Sequence, residues 1–209
     1  MPDRDRVAPA PPRASDDVTG FAALGLAEPQ FAGLALWRVL ADHDFDTVLD
    51  VGGGAGEHAA VFEALGKQVT GVDYGRSVYF ERRSPQRAVI VGDFNTLTLP
   101  ERYDLVWCSH VLEHQLDPHR FLLRLHAATK EGGVLAVTVP PAKPEIVGGH
   151  VSLWNAGLLL YRLVLAGFDC RQARVRRYGY NISVILEKRS IELPELAYDC
   201  GDVRRLRAF

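Results

Sequence analysis

The sequence predicts an α/β chain, a Rossmann-like three-layer sandwich built on a seven-stranded, mostly parallel sheet with one antiparallel strand near the C-terminus. Three observations carry that expectation. Short, nearly continuous apolar runs recur along the chain, VLDV, AVIV, DLVW and VLAV, as strands covered on both faces require. Segments of helical periodicity lie between several of them, the alternation of a parallel sheet with crossover helices. The first apolar run breaks into GGGAG before a helical segment, which is a strand, a tight turn and a helix in succession.

Taken in order, residues 1–17 are rich in Pro, Arg, Asp and Ala. They offer too little apolar surface to offset the entropy of ordering and read as a flexible arm, without the apolar stretch of a secretory signal. Residues 18–189 form the expected domain. From Pro29 to His43 the apolar residues Phe31, Leu34, Ala35, Trp37, Val39 and Leu40 recur at helical spacing, and HDFD ends the helix in a turn. TVLDV is the first strand, EHAAVFEAL a helix, and QVTGVDY, RAVIVGDF, YDLVWCSHV and GVLAVTVP are strands two to five, with a helix from Pro118 to Lys130 before the fifth. LWNAGLLLYRLVLAGF reads as a helix closed by Gly167. DCRQARVRRY and NISVILEK follow as a hairpin around Gly179, the basic run being the solvated face of an edge strand. Residues 190–209 form a tail that docks on the domain or contacts a partner.

Composition narrows the function classes. The chain has 24 Lys and Arg against 26 Asp and Glu, a net charge of −2, with 47% hydrophobic residues. That is enough apolar material for one core. It lacks the basic excess of a protein that binds nucleic acid through phosphates. No apolar stretch approaches the roughly 20 residues of a membrane span. Cys108, Cys170 and Cys200 are an odd, widely spaced set that signals neither a disulfide framework nor a zinc cluster, so a reducing cytoplasm is expected.

In LDVGGGAGEHAA the glycines follow a strand and open a helix, where a ligand approaches bare backbone. Asp73 ends the next strand, placed to accept hydrogen bonds from ribose hydroxyls. Dinucleotide binding calls for GxGxxG, but Glu57 stands where the third glycine belongs. A nicotinamide-dependent oxidoreductase is thereby weakened.

The sequence resembles instead the seven-stranded class of S-adenosylmethionine-dependent methyltransferases, small-molecule branch, from about residue 45 to 188. LDVGGGAG matches their D-x-G-x-G-x-G loop through Asp50, Gly52, Gly54 and Gly56. VDYG, GDF, YDLVWCSHVLEH and GGVLAVTVP follow in the family's order. The resemblance implies that Asp73 holds the ribose, Asp93 accepts from the adenine amino group, and Phe94 and Tyr74 pack near the adenosine. It also implies that Gly52 and Gly54 make room for the methionine moiety, Asp50 meets its ammonium group or holds the loop, and Ser109 lies beside it.

On the acceptor side, Trp107, Cys108, Ser109 and His110 are expected at the strand ends, where α/β sheets bind ligands. Cys108 has no cationic partner in the sequence to activate it. His114 is expected at the acceptor side or in a structural turn. GGHVSLW follows the fifth strand, and the resemblance puts His150 and Trp154 toward the acceptor. A near-neutral histidine can take a hydroxyl proton, which makes His150 the first candidate base and His110 the second; the alternative for His150 is capping the following helix. His58 is expected at the surface or near the cofactor.

No HxH, HExxH or carboxylate cluster at ligand spacing occurs, so no metal is expected. The implied reaction is O-methylation of a small molecule or of a sugar or glycan hydroxyl, with S-adenosylhomocysteine as by-product. The rival reading is a non-catalytic module that binds the same cofactor and regulates a partner. Oligomeric state is left open.

Overall fold

A computed structural model describes residues 19–84 and 87–209; the expected arm, residues 1–17, lies outside them. Seven strands form one sheet: β1 (Thr47–Val51), β2 (Gln68–Asp73), β3 (Val89–Val91), β4 (Tyr103–Ser109), β5 (Thr129–Val139), β6 (Arg174–Tyr178) and β7 (Asn181–Glu187). Their order across the sheet is β3-β2-β1-β4-β5-β7-β6. Strands β3 through β5 pair in parallel, and β7 runs antiparallel to both β5 and β6. The chain therefore works outward from β1 to one edge, then returns to β4 on the other side of β1. A crevice opens at that switch point, beyond the carboxyl ends of β1 and β4.

Helices cover both faces. On one, α1 (Gly33–Asp42) and α2 (Glu57–Ala64) pack Leu36, Val39 and Phe62 against Val48, Leu105, Trp107 and Ala136. On the other, α3 (Pro118–Ala128) and α4 (Ala156–Leu165) pack Phe121, Leu125, Leu159 and Leu163 against Leu49, Val106, Leu135 and Val184. Successive strand residues thus serve opposite cores, the consequence of a two-residue side-chain period.

Three elements differ from expectation. Helix α1 starts at Gly33, four residues after Pro29, because Ala32 holds a left-handed conformation (φ 54°) that a helix cannot include. Strand β3 is three residues long, and only a 3₁₀ turn, Phe80–Arg82, precedes it after β2. Strand β5 starts at Thr129, ahead of GVLAVTVP, by pairing Thr129 with Tyr103 across a register shift. Gly133 is needed at that irregularity: a Cβ there would lie 2.9 Å from the Asp104 carbonyl oxygen.

The C-terminal residues fold back on the domain. The Cys170 amide donates to the Phe209 carbonyl, Ile191 to Gly167, and the short helix α5 (Asp202–Arg205) carries buried Asp202, whose carboxylate accepts from the Ala197 and Tyr198 amides.

Helix α3 begins at Asp117, whose carboxylate accepts from the Arg120 amide at 3.0 Å, with Pro118 in the first turn. Loss of an N-cap acceptor costs about 1 kcal/mol. Asp117→Ala should lower stability by that amount in denaturant titration.

Candidate functional site

The glycine loop leaves β1 at the switch point. Gly52, Gly54 and Gly56 have φ of 73°, 51° and 83°, the left-handed region that side chains with a Cβ resist. All three also lack room: a Cβ on Gly52 would meet Val111 Cγ2 at 2.3 Å, one on Gly54 the Tyr79 Cβ at 3.1 Å, and one on Gly56 the Arg87 guanidinium at 2.4 Å. The first contact sets the loop directly against the end of β4. The Arg87 guanidinium fastens the far side, donating to the Gly56 carbonyl at 2.8 Å and pairing with Glu63 at 2.7 Å.

Asp73, at the end of β2, accepts from the Gly54 amide at 3.0 Å and the Gly75 amide at 2.7 Å. Each carboxylate oxygen retains lone-pair capacity beyond one amide, so the group can hold the loop and still receive hydroxyl donors. Asp73 thus shares the loop with Asp50, whose Oδ2 lies so close to Gly53 that a Cβ there would meet it at 2.5 Å.

Asp50 is buried, and burial, reinforced by the charge of nearby Asp73, pushes its carboxyl up to about 7. A carboxyl in that state is ready to ionise when a cation enters its surroundings. Because its pKa in the fold exceeds the unfolded value of 3.8, its contribution to stability is present below that value and is lost as pH rises toward 7. Between pH 5.5 and 6.5 the ligand-free protein should lose about 1 kcal/mol that Asp50→Asn does not lose. Denaturant titrations of both proteins at the two pH values measure the difference.

The other expected cofactor residues follow the ends of β2, β3 and β4. Asp93 is exposed, with Oδ1 accepting from the amide and side chain of Asn95. Phe94 is in the core, edge-to-face with Phe121 at 5.3 Å. Tyr74 is 58% exposed with the Arg76 guanidinium above its ring. Ser109 ends β4, and its buried hydroxyl oxygen has no hydrogen-bond partner among the described residues. The positive-φ loop, the pliant Asp50 and the unsatisfied Ser109 suit a ligand bearing an ammonium group and hydroxyls.

The strand-end expectation needs correction at Trp107 and Cys108. Both are fully buried within the sheet layers, because only the last residue or two of β4 reach its open end. Burial, with Glu113 and Asp50 near, pushes the Cys108 thiol well up, which removes it as a nucleophile. His58 is not a surface residue. Its Nδ1 accepts from the Trp107 indole at 3.1 Å and its Nε2 bonds the Phe31 carbonyl at 2.9 Å; burial lowers its pKa. It ties the segment ahead of α1 to the sheet.

His110 sits just past β4 in a left-handed conformation, φ 56°, a strain of roughly 1 kcal/mol that the surroundings must sustain. Its amide donates to the Thr138 carbonyl, its Nε2 bonds Asn181 Oδ1 at 2.9 Å, and its ring packs between Phe31 and Tyr180. Burial works to lower its pKa, but Glu113 and Asn181 more than offset that and hold it above the ordinary imidazole value. Asn181, Phe31 and Tyr180 had no signal in the sequence.

Glu113 is fully buried, and neither carboxylate oxygen has a hydrogen-bond partner of normal geometry. The nearest groups to Oε1 are His110 Nδ1 at 3.4 Å and His114 Nε2 at 3.8 Å. His114 Nδ1 bonds the Gly149 carbonyl at 2.7 Å, and its ring meets that of His150 at 5.0 Å. His150 borders a cleft with Pro140, Lys143, Ser152 and Tyr180, and burial lowers its pKa. It does not cap α4, since Asn155 does so by accepting from the Leu158 amide at 2.8 Å. Trp154 is 2% exposed; it lines the cleft floor but belongs to the core, its indole donating to Ser152.

Comparisons with known proteins agree on the architecture. A methyltransferase-domain family model matches residues 16–173. Ubiquinone biosynthesis O-methyltransferases are similar in sequence: that of Rhodopseudomonas palustris is 33% identical over 96 residues, covering 43% of this chain and 38% of that protein. The one from Pseudomonas paraeruginosa is 30% identical over 107 residues, 47% of this chain and 46% of that protein. The matched region thus spans less than half the length of these curated relatives. Among solved structures, a methyltransferase from Archaeoglobus fulgidus superposes with a TM-score of 0.59 at 19% identity, over 69% of this chain and 86% of that one. A Burkholderia thailandensis N-methyltransferase with bound S-adenosylhomocysteine also scores 0.59 at 19% identity, over 74% and 75%. With most of its length matched by the family model and the seven-stranded sheet in place, the chain belongs to the class I S-adenosylmethionine-dependent methyltransferases.

Proposed function

We propose that the chain transfers the methyl group of S-adenosylmethionine to a hydroxyl of a small molecule, sugar or glycan, and releases S-adenosylhomocysteine. One observation carries the reading: the glycine loop, which Asp73 holds through the Gly54 amide, abuts the segment that leaves β4 toward His110 and His114 through Gly52 and Val111. Asp73 would receive the ribose hydroxyls, Asp50 the ammonium group, and Asp93, Tyr74 and Phe94 the adenine side. The names of the similar curated proteins, O-methyltransferases of ubiquinone biosynthesis, favour an oxygen acceptor.

S-Adenosylmethionine supplies a methyl group on a sulfonium, already a good leaving group. The acceptor oxygen bonds to the methyl carbon as the carbon–sulfur bond breaks and its electron pair stays on sulfur. The protein then has to align the two, exclude water and receive the acceptor proton. His150, neutral near pH 7 and bordering the cleft, is assigned that proton; His114 steadies its ring. His110, already held by Asn181 and Glu113, is a positioning group behind it.

Calorimetric titration with S-adenosylhomocysteine and, separately, NADH tests the cofactor. Formation of S-adenosylhomocysteine with a panel of phenols, hydroxylated quinones and sugars tests the reaction. Binding without turnover on any acceptor would favour the regulatory module; NADH binding alone would overturn the reading. Among the described residues no helix is long and apolar enough to cross a membrane. Three free cysteines favour a reducing compartment such as the cytoplasm.

A further inference from the structure

We infer that Glu113, His114 and His150 form a binding site for a divalent transition-metal cation, with zinc the best match. Their ligand atoms lie within 4.8 Å of one another. Two imidazoles and a carboxylate are the donor set of an open zinc site that keeps its fourth position for water or substrate. The sequence showed no such cluster because 36 residues separate His114 from His150; the loop after β5 closes the gap.

Two further observations point to a cation. The Glu113 carboxylate is fully buried, and among the described residues neither oxygen has a hydrogen-bond partner of normal geometry; the His110 imidazole, 3.4 Å from Oε1, meets part of its charge and leaves the second oxygen without a partner, which favours a cation there. The Gly149 carbonyl can only accept, so the proton of neutral His114 is on Nδ1. That leaves the Nε2 lone pair free on the side facing Glu113, 3.8 Å from Oε1. A backbone carbonyl fixing the tautomer of a ligating imidazole is the usual outer support of a metal site. The same bond ties His114 to the loop that carries His150.

Tetrahedral zinc with bonds of 2.0–2.2 Å has ligand atoms roughly 3.5 Å apart, so a contraction of about 1 Å completes the site. His150 lies on a loop and His114 is half-exposed on a 3₁₀ turn, Leu112–His114, where such a shift is cheap. The fourth position would face the cleft bordered by Lys143, Ser152 and Tyr180.

The inference deepens the acceptor side of the proposed function and rests on it. With zinc bound, His150 would hold the ion in place of accepting the proton, and the acceptor hydroxyl would take the fourth position. There its O–H bond breaks more readily, the proton leaving to water and the electron pair remaining on oxygen for attack on the methyl carbon.

The test is zinc titration of the chelator-treated full chain against a competing metal indicator. It is run on the wild type, His114→Ala, His150→Ala and Glu113→Gln, with S-adenosylhomocysteine binding measured on every sample. The expected result is one zinc per chain, weakened about 100-fold or more by either histidine substitution with S-adenosylhomocysteine binding intact. Cobalt in its place should give visible absorption without a thiolate charge-transfer band, which excludes Cys170 and Cys200 as the ligands. Both histidines are partly solvent-accessible, so their variants keep the test valid if Glu113→Gln does not fold. Zinc binding that is absent, or equal in wild type and both histidine variants, overturns the site; intact S-adenosylhomocysteine binding in those samples leaves the methyltransferase reading standing.

Discussion

Asp73→Ala is expected to weaken S-adenosylhomocysteine binding by about 100-fold. The carboxylate sits at the end of β2, and its two oxygens already hold the amides of Gly54 and Gly75. Ribose hydroxyls would add charge-assisted bonds to the same group, and losing such bonds costs about 1.5 to 3 kcal/mol. Removing the carboxylate also frees the Gly54 amide, so the loop has to be reordered when ligand binds, which adds to the loss. A deoxyribose analogue separates the two causes. The wild type should discriminate strongly against it, whereas Asp73→Ala should bind it about as well as the parent compound. Continued discrimination by the variant would assign the ribose to another residue and leave Asp73 as a holder of the loop alone.

The residues that sequence reasoning located are those whose constraint is local. Gly52, Gly54 and Gly56 take positive φ one after another, and only a glycine-rich run does so without strain; that is why the loop is visible in a string of letters. The strands are visible because VLDV and DLVW feed two cores at once, Val48 and Leu105 on one face, Leu49 and Val106 on the other. Gly179 turns the last hairpin where a short connection between β-rich runs requires it. Position along the chain failed where chemistry depends on distant segments. His58 reads as a residue of the helix surface or of the cofactor side, yet a Trp107 indole 49 residues away supplies its partner. Phe31, Tyr180 and Asn181 meet His110 only because β7 lies antiparallel beside β5 and the segment before α1 folds over the sheet's end. The complete burial of Glu113 has no local signal, since the letters VLEH suggest a turn after a strand but not that His110 and His114 close over its carboxylate. Trp107 and Cys108 were placed too near the opening for a related reason: the sequence shows that a strand ends, but not how far its last residues project beyond the layers that cover it.

His150→Ala should lower turnover by about 100-fold or more while leaving S-adenosylhomocysteine affinity unchanged, because the residue borders the acceptor cleft and not the glycine loop. The loss itself follows whether His150 takes the proton or holds a cation, so the pH profile and the metal dependence must separate the two. Burial keeps the His150 pKa below its ordinary value of 6.5. As a base it must be unprotonated, so wild-type turnover should rise with pH through a region below 6.5 and then level off. In the variant that limb should vanish, and the residual rate should climb with hydroxide or respond to added imidazole. As a ligand, His150 gives the opposite signature. Chelator should then abolish wild-type turnover, zinc should restore it, and imidazole should rescue the variant only when zinc is present. Near wild-type turnover in His150→Ala under all these conditions would remove the residue from the chemistry and return attention to His110. That imidazole is already positioned by Asn181 and Glu113, in a backbone conformation a non-glycine residue adopts only under constraint.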